Sequence, residues 1–154
     1  MDYRINFNEP IPQMIERLKQ EHLDFESTFK RIEKCINENA IKGAIKVIRD
    51  ISESIIKHAV EEEARLMRII MHDAKEESAD SIKIMQEHNW VVDFLKHKLE
   101  TIEDQVHHQQ QQEQQQKVKS EINDFIANLR NHFSEEEQIV FPLALKANSS
   151  YLNK

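Results

Sequence analysis

Glycine is almost missing from this chain: one in 154 residues, alongside three prolines and one cysteine. Tight turns draw on glycine and proline, so their scarcity argues against the many reversals of an all-β fold. The single cysteine, Cys35, cannot close an internal disulfide. No apolar run approaches the roughly 18 residues that a membrane-spanning helix needs. The opening residues, Met-Asp-Tyr-Arg-Ile-Asn-Phe, lack the apolar stretch of a signal peptide. Positive charge is not in excess either, and a net charge of −7 disfavours nucleic acid or an anionic membrane as the main partner. These absences lead us to expect one cytoplasmic domain, monomeric or homodimeric, large enough to bury a core. Long helices with few connections would build it.

What is present agrees with that expectation. Residues 1–10 read as an arm, and Pro10 and Pro12 mark entry into a first helix. Apolar residues then recur at Ile11, Ile15, Leu18, Phe25, Phe29, Ile32 and Ile36, in steps of three and four broken only at His22. This is the inward seam of a bundle helix. A second seam, from about 40 to 75, carries Ile41, Ala44, Ile48, Ile51, Ile55, His58, Glu62, Leu66 and Ile69. A third begins near Ser78, an N-cap residue type, and runs through Met85, His88, Val92, Leu95, Leu99, Ile102 and Val106. The fourth holds Val118, Ile122, Phe125, Leu129, His132, Glu136, Ile139 and Leu143. The predicted fold is all-α: an up-down-up-down antiparallel four-helix bundle over residues 11–147, with a frayed tail at 148–154. The glutamine-rich run at 109–116 either extends a neighbouring helix or forms a mobile connection.

Each seam contains one histidine, and two seams add a glutamate four residues later. Residues at i and i+4 project from the same helical face. His58 with Glu62, and His132 with Glu136, therefore point inward as matched pairs, while His22 and His88 add one imidazole from each remaining helix. At about 1.5 Å of rise per residue the six groups fall in one layer of the bundle. A lone seam histidine is usually a hydrogen-bonded core residue. Six polar groups in one layer are different, because burying carboxylates without compensation costs several kcal/mol each. A metal-free polar network is the alternative, but metal ions satisfy all six groups at once.

The ligand types indicate which metal. Imidazole with carboxylate suits iron, then manganese or zinc, and lacks the thiolates of most structural zinc sites. Two carboxylates able to bridge suggest two ions rather than one. His22 and His58 would serve one and His88 and His132 the other, with Glu62 and Glu136 shared between them. Glu61, Glu63, Glu135 and Glu137 lie off the seam and are expected on the flanks, solvated or supporting the ligands. Glu21 and Glu87 are further supporting candidates that could line a path for protons or iron. His72 lies too far along its helix to join the site, His97 is off the seam, and His107 and His108 would bind metal only adventitiously. Cys35, Met67, Met71, Met85 and Trp90 read as packing residues.

These residues resemble the hemerythrin-like family, whose cation-binding pattern is His, His-x-x-x-Glu, His, His-x-x-x-Glu. Here the pattern reads Glu-His at 21–22, His-Ala-Val-Glu-Glu at 58–62, Glu-His-Asn-Trp at 87–90 and His-Phe-Ser-Glu-Glu at 132–136, followed by Ile-Val-Phe-Pro at 139–142. The resemblance covers about 11–147 and implies a non-haem di-iron centre with an oxo or hydroxo bridge. It implies reaction with dioxygen, peroxide or nitric oxide, supported by a redox partner the sequence does not name. If the chain is an enzyme, it would be a di-iron oxidoreductase. The alternatives are a non-enzymatic iron-sensing or iron-handling module, or a reversible oxygen binder. Oxygen carriers of the family have a second histidine on the third helix where this chain has Val92, and an aspartate where it has Glu137. Those departures count against oxygen carriage. The iron–sulfur cluster repair members are closer, including a glutamate before the first and third histidines, here Glu21 and Glu87. They usually add a cysteine-bearing N-terminal segment that these 154 residues do not include.

Overall fold

The computed structural model describes residues 4–73, 78–108 and 112–152. The described residues form four long helices and no strand. The first helix spans Ile11–Asn37, with Pro10 as its N-cap and Pro12 in its first turn, where a missing N–H goes unused. Asn39 then takes a left-handed conformation (φ 59°), and the chain reverses within three residues. The second helix runs over 41–73, the third over 78–108 and the fourth over 112–152. Residues 112–116 of the glutamine-rich run open the fourth helix, whereas 109–111 lie outside the described residues. At the C-terminal end the helix continues to Leu152, past the point where fraying was expected.

Among the described residues, three of the four helices contain a π-helical turn, at Glu62–Met67, Phe94–Lys98 and Glu136–Val140. Such turns replace i→i+4 bonding with i→i+5 and insert an extra residue into the helical register. This corrects the seam predicted beyond the second and fourth histidines. Ile70 rather than Ile69 is fully buried, and Val140 is buried while Ile139 is 42% exposed. On the third helix Ile84 and Val91 are buried in place of the expected Met85 and Val92, which are only partly covered, while His88, Leu95, Leu99 and Ile102 are buried as expected. On the first helix every predicted seam position is buried.

The buried side chains divide into two apolar clusters. The larger runs from Phe25, Phe29 and Ile32 through Ile45, Ile48 and Ile55 to Phe94, Leu99, Phe125 and Leu129. The smaller joins Ile11, Met14, Ile15 and Leu18 to Leu66, Met67, Ile70, Ile84, Val140 and Phe141. Between them lies a layer of buried polar residues contributed by all four helices.

Candidate metal centre

Six buried polar residues make the layer: His22 from the first helix, His58 and Glu62 from the second, His88 from the third, His132 and Glu136 from the fourth. The structure brings together all six residues singled out from the sequence. They form two overlapping sets of four potential metal donors, His22–His58–Glu62–Glu136 and Glu62–His88–His132–Glu136, each with its donor atoms within 4.8 Å of one another. Both carboxylates belong to both sets. The π turns begin at these glutamates and help select which carboxylate of each acidic triplet faces inward. Glu62 and Glu136 are completely buried, whereas Glu63 and Glu137 emerge on the far side of the imidazoles.

The layer is poorly satisfied by protein alone. Both oxygens of Glu62, both oxygens of Glu136 and Nε2 of His88 are buried with no hydrogen-bond partner. Nε2 of His22 faces Nε2 of His58 at 3.1 Å. The shorter histidine–glutamate separations are 3.3 Å for His22–Glu136, 3.3 Å for His58–Glu62, 3.4 Å for His88–Glu62 and 3.4 Å for His132–Glu136, and His58 and His88 lie 3.9 and 4.0 Å from Glu136. Ligand atoms at right angles about a cation, each some 2.1 Å from it, lie about 3 Å apart. The donor set therefore fits cation binding in both chemistry and spacing, and a buried cation resolves the unpaired acceptors that a structural network would leave.

Every imidazole is oriented from behind. Nδ1 of His58 meets Glu21 at 2.8 Å and Nδ1 of His132 meets Glu87 at 3.0 Å. Nδ1 of His88 meets Glu63 at 3.1 Å and Nδ1 of His22 meets Glu137 at 3.1 Å. A carboxylate at Nδ1 fixes the tautomer so that Nε2 presents a lone pair to the layer, and it raises the basicity of that nitrogen. The surrounding charges also move the imidazoles apart electrostatically. Burial pushes His88 down, but Glu62 and Glu63 beside its two ring nitrogens lift it to about 9. Burial lowers His58 too, yet Glu62 and Glu21 carry it above its ordinary value. Burial and the neighbouring His58 together lower His22. Burial raises Glu62, and His58, His88 and His132 more than reverse that shift.

The contacts repeat between the two helical hairpins. The offset that carries His22 to His88 also carries Glu21 to Glu87 and Arg17 to Lys83. The one that carries His58 to His132 takes Glu61 to Glu135 and Glu62 to Glu136. Arg17 pairs with Glu61, and Lys83 pairs with Glu135 at 3.0 Å. The paired rings are also alike, at 4.9 Å for His22–His58 and 4.8 Å for His88–His132. Sequence reasoning left Arg17, Lys83 and this repeat unnoticed, although the two offsets were there to be read. It also placed Glu61 on a solvated or supporting flank. Glu61 is in fact buried, its charge met by Arg17, which also binds Glu9 and Glu21. Burial lowers Arg17, but those carboxylates outweigh it and hold the guanidinium well above its ordinary range. Elsewhere, His72 pairs with Asp73 away from the layer, His97 is exposed, and Trp90 lies tilted beside Phe94 and Phe125.

Fold and site together define a four-helix bundle with a cation site enclosed by histidine and glutamate. The family model for the hemerythrin HHE cation binding domain matches residues 13–144, nearly the whole chain. The chain belongs to the hemerythrin family and is a cation-binding, hemerythrin-like protein. No curated protein and no solved structure gives a match to it. Among the described residues no helix is long and apolar enough to cross a membrane.

Proposed function

We propose that this protein holds a non-haem di-iron centre that reacts with dioxygen, peroxide or nitric oxide. The carrying observation is that both buried carboxylates, Glu62 and Glu136, are shared by two histidine pairs. One cation would satisfy one set and leave the other pair of imidazoles in an acidic, dry layer. Two cations use every donor, and imidazole with carboxylate is the environment iron takes in such bundles. In this reading His22 and His58 would hold one ion and His88 and His132 the other, with Glu62 and Glu136 available to both.

Held there, a ferrous pair would supply two electrons to one small molecule. The chain's own residues do the rest. Glu21, Glu63, Glu87 and Glu137 keep each Nδ1–H engaged, so that the imidazoles hold their orientation. The two apolar clusters close the layer above and below and exclude bulk water.

The test is iron content and optical spectrum of protein purified aerobically from iron-replete cells, followed by peroxide addition. About two irons per chain, near-ultraviolet bands of a coupled ferric pair and rapid loss of peroxide are expected. Failure to take up iron even after anaerobic reconstitution would end the di-iron reading.

A second reading is iron sensing or handling without turnover. It is favoured by the unpaired buried acceptors, because a cation that satisfies them couples its binding energy to folding. Two irons without peroxide loss, together with a large fall in helicity on chelation, would select it.

A further inference from the structure

Two arginines join the segment before the first helix to the half of the layer that contains His22 and His58. Arg17 grips both oxygens of Glu9, through Nε at 3.1 Å and Nη2 at 2.9 Å, the two-pronged geometry that fixes a carboxylate in place. Its Nη1 donates to Glu21 at 2.7 Å, and its Nη2 also donates to the buried Glu61. Glu21 turns its other oxygen to Nδ1 of His58 at 2.8 Å. A relay of side chains therefore runs His58–Glu21–Arg17–Glu9, from a donor of the layer to a residue outside the helices.

Arg65 supplies the second link. Its Nη1 donates to the carbonyls of Asn6 and Glu9, at 3.2 and 2.5 Å. Arg65 lies in the π turn that opens with Glu62. The register of that turn sets both where the Glu62 carboxylate faces and whether Arg65 reaches the segment.

Among the described residues neither link recurs in the other half. Carried across by the repeat, Arg17 becomes Lys83, which is exposed and makes a single ion pair with Glu135. Arg65 becomes Ile139, which carries no charge and is 42% exposed. The histidine–glutamate pairs and the π turns at Glu62 and Glu136 do recur, so the inward face forms without such a grip. The grip is an addition to one half.

We propose that the segment before the first helix, acting through Arg17, supports one of the two cations, the one between His22 and His58. Arg17 is a positioning residue. With Glu9 occupying one side of its guanidinium, Nη1 stays aimed at Glu21, and Glu21 stays behind His58. Coupling between two binding events is reciprocal, so a cation that holds His58 in place also holds the segment down. A group directly behind a metal-ligating histidine changes affinity by roughly 10- to 100-fold. Arg17 acts one step further out and Glu9 two, both part-exposed, so smaller effects are expected of them. This rests on the di-iron reading and adds that its two ions are unequally supported.

The full chain, loaded anaerobically with ferrous iron, is challenged with graded amounts of a chelator. In Glu9→Gln one of the two irons should leave at a chelator concentration about threefold below that for wild type, and in Arg17→Met about tenfold below. The other iron and the helicity should not change. Lys83→Met, the matching change in the other half, should shift neither iron by more than about twofold. Wild-type release from both Glu9→Gln and Arg17→Met, equally early release of both irons, or the same loss in Lys83→Met overturns the proposal. Hydrogen exchange reads the coupling from the other side. Removing iron from wild type should speed exchange of the Asn8 and Glu9 amides, which are held in the turn at Asn6. In Glu9→Gln those amides should exchange alike with and without iron. Wild-type amides that ignore iron, or a response that survives in Glu9→Gln, overturns the proposal. Should Arg17→Met fail to fold, Glu9→Gln carries the test, since it changes a residue outside the helices. Two irons released alike from every variant defeat this proposal alone, whereas a chain that takes up no iron defeats the di-iron reading beneath it.

Discussion

The polar layer and the apolar clusters that flank it are built from the same four helices at the same inward positions, yet they make opposite demands. In the larger cluster Phe94 and Phe125 stack at 3.9 Å and every seam residue finds apolar neighbours. In the layer two carboxylates sit fully buried with four acceptor oxygens unpaired. The clusters lower the free energy of the fold through the area they remove from water. The layer, without a cation, raises it by desolvating charge. What this teaches is that the clusters hold the site in shape against its own cost, and a cation converts that cost into binding energy.

Breaking the apolar side should have the largest effect. Phe125→Ala is expected to destabilise the protein by about 3–5 kcal/mol, as large aromatic truncations in cores do. Chemical denaturation would measure the loss, while metal stoichiometry under native conditions stays unchanged. A loss below 1 kcal/mol would mean that the cluster is not the main support.

Cation removal comes next. When free metal exceeds its dissociation constant a thousandfold, binding contributes about 4 kcal/mol, or roughly 10 °C in Tm for a chain of this size. Thermal unfolding with and without chelator checks this. Equal Tm values in the two conditions would remove the link between occupancy and folding.

The sharpest contrast is Glu136→Leu. Replacing a whole buried ion pair with apolar residues is often neutral or stabilising, by roughly 1–4 kcal/mol, and the same is expected of Glu136, whose two oxygens have no hydrogen-bond partner. The metal-free variant should therefore be at least as stable as the metal-free wild type, while losing its metal. A metal-free variant that unfolds more easily would show that Glu136 is structurally paired after all.

The smallest effect concerns the segment before the first helix. The hydrogen bond from Arg17 holds the Glu9 carboxyl below its ordinary 4.5. A carboxyl whose folded value is lowered stabilises the fold above its unfolded value and loses that contribution as pH falls through the folded value. Glu9→Gln should accordingly cost a little stability at pH 7, with the difference from wild type fading as pH falls below 4.5 and gone in acid once the folded carboxyl is protonated. Urea midpoints at pH 7 and in acid would show it, and a difference that persists in acid would assign the effect to packing.

Much of the site could be read from the sequence because helical periodicity alone places His22, His58, Glu62, His88, His132 and Glu136 inward. The i, i+4 spacing of each His–Glu pair is a property of one helix and needs no knowledge of its neighbours. The glutamates behind the imidazoles were harder. Glu63 and Glu137 are one residue from buried carboxylates, and each reaches a histidine on a different helix. No single-helix pattern reports such a contact. The shift from Ile139 to Val140 was equally hidden, because a π turn changes register without any residue that marks it as glycine or proline marks a turn.

The sequence by itself determined the all-α class, the four inward faces and the six residues of the polar layer, since periodicity and burial cost act along each helix separately. Tertiary structure decided which histidine each outer glutamate supports, where Arg17 gathers its three carboxylates, and that Phe133 lies against both His22 and His132. Those features depend on which helices lie side by side and at what height, and packing between helices sets that.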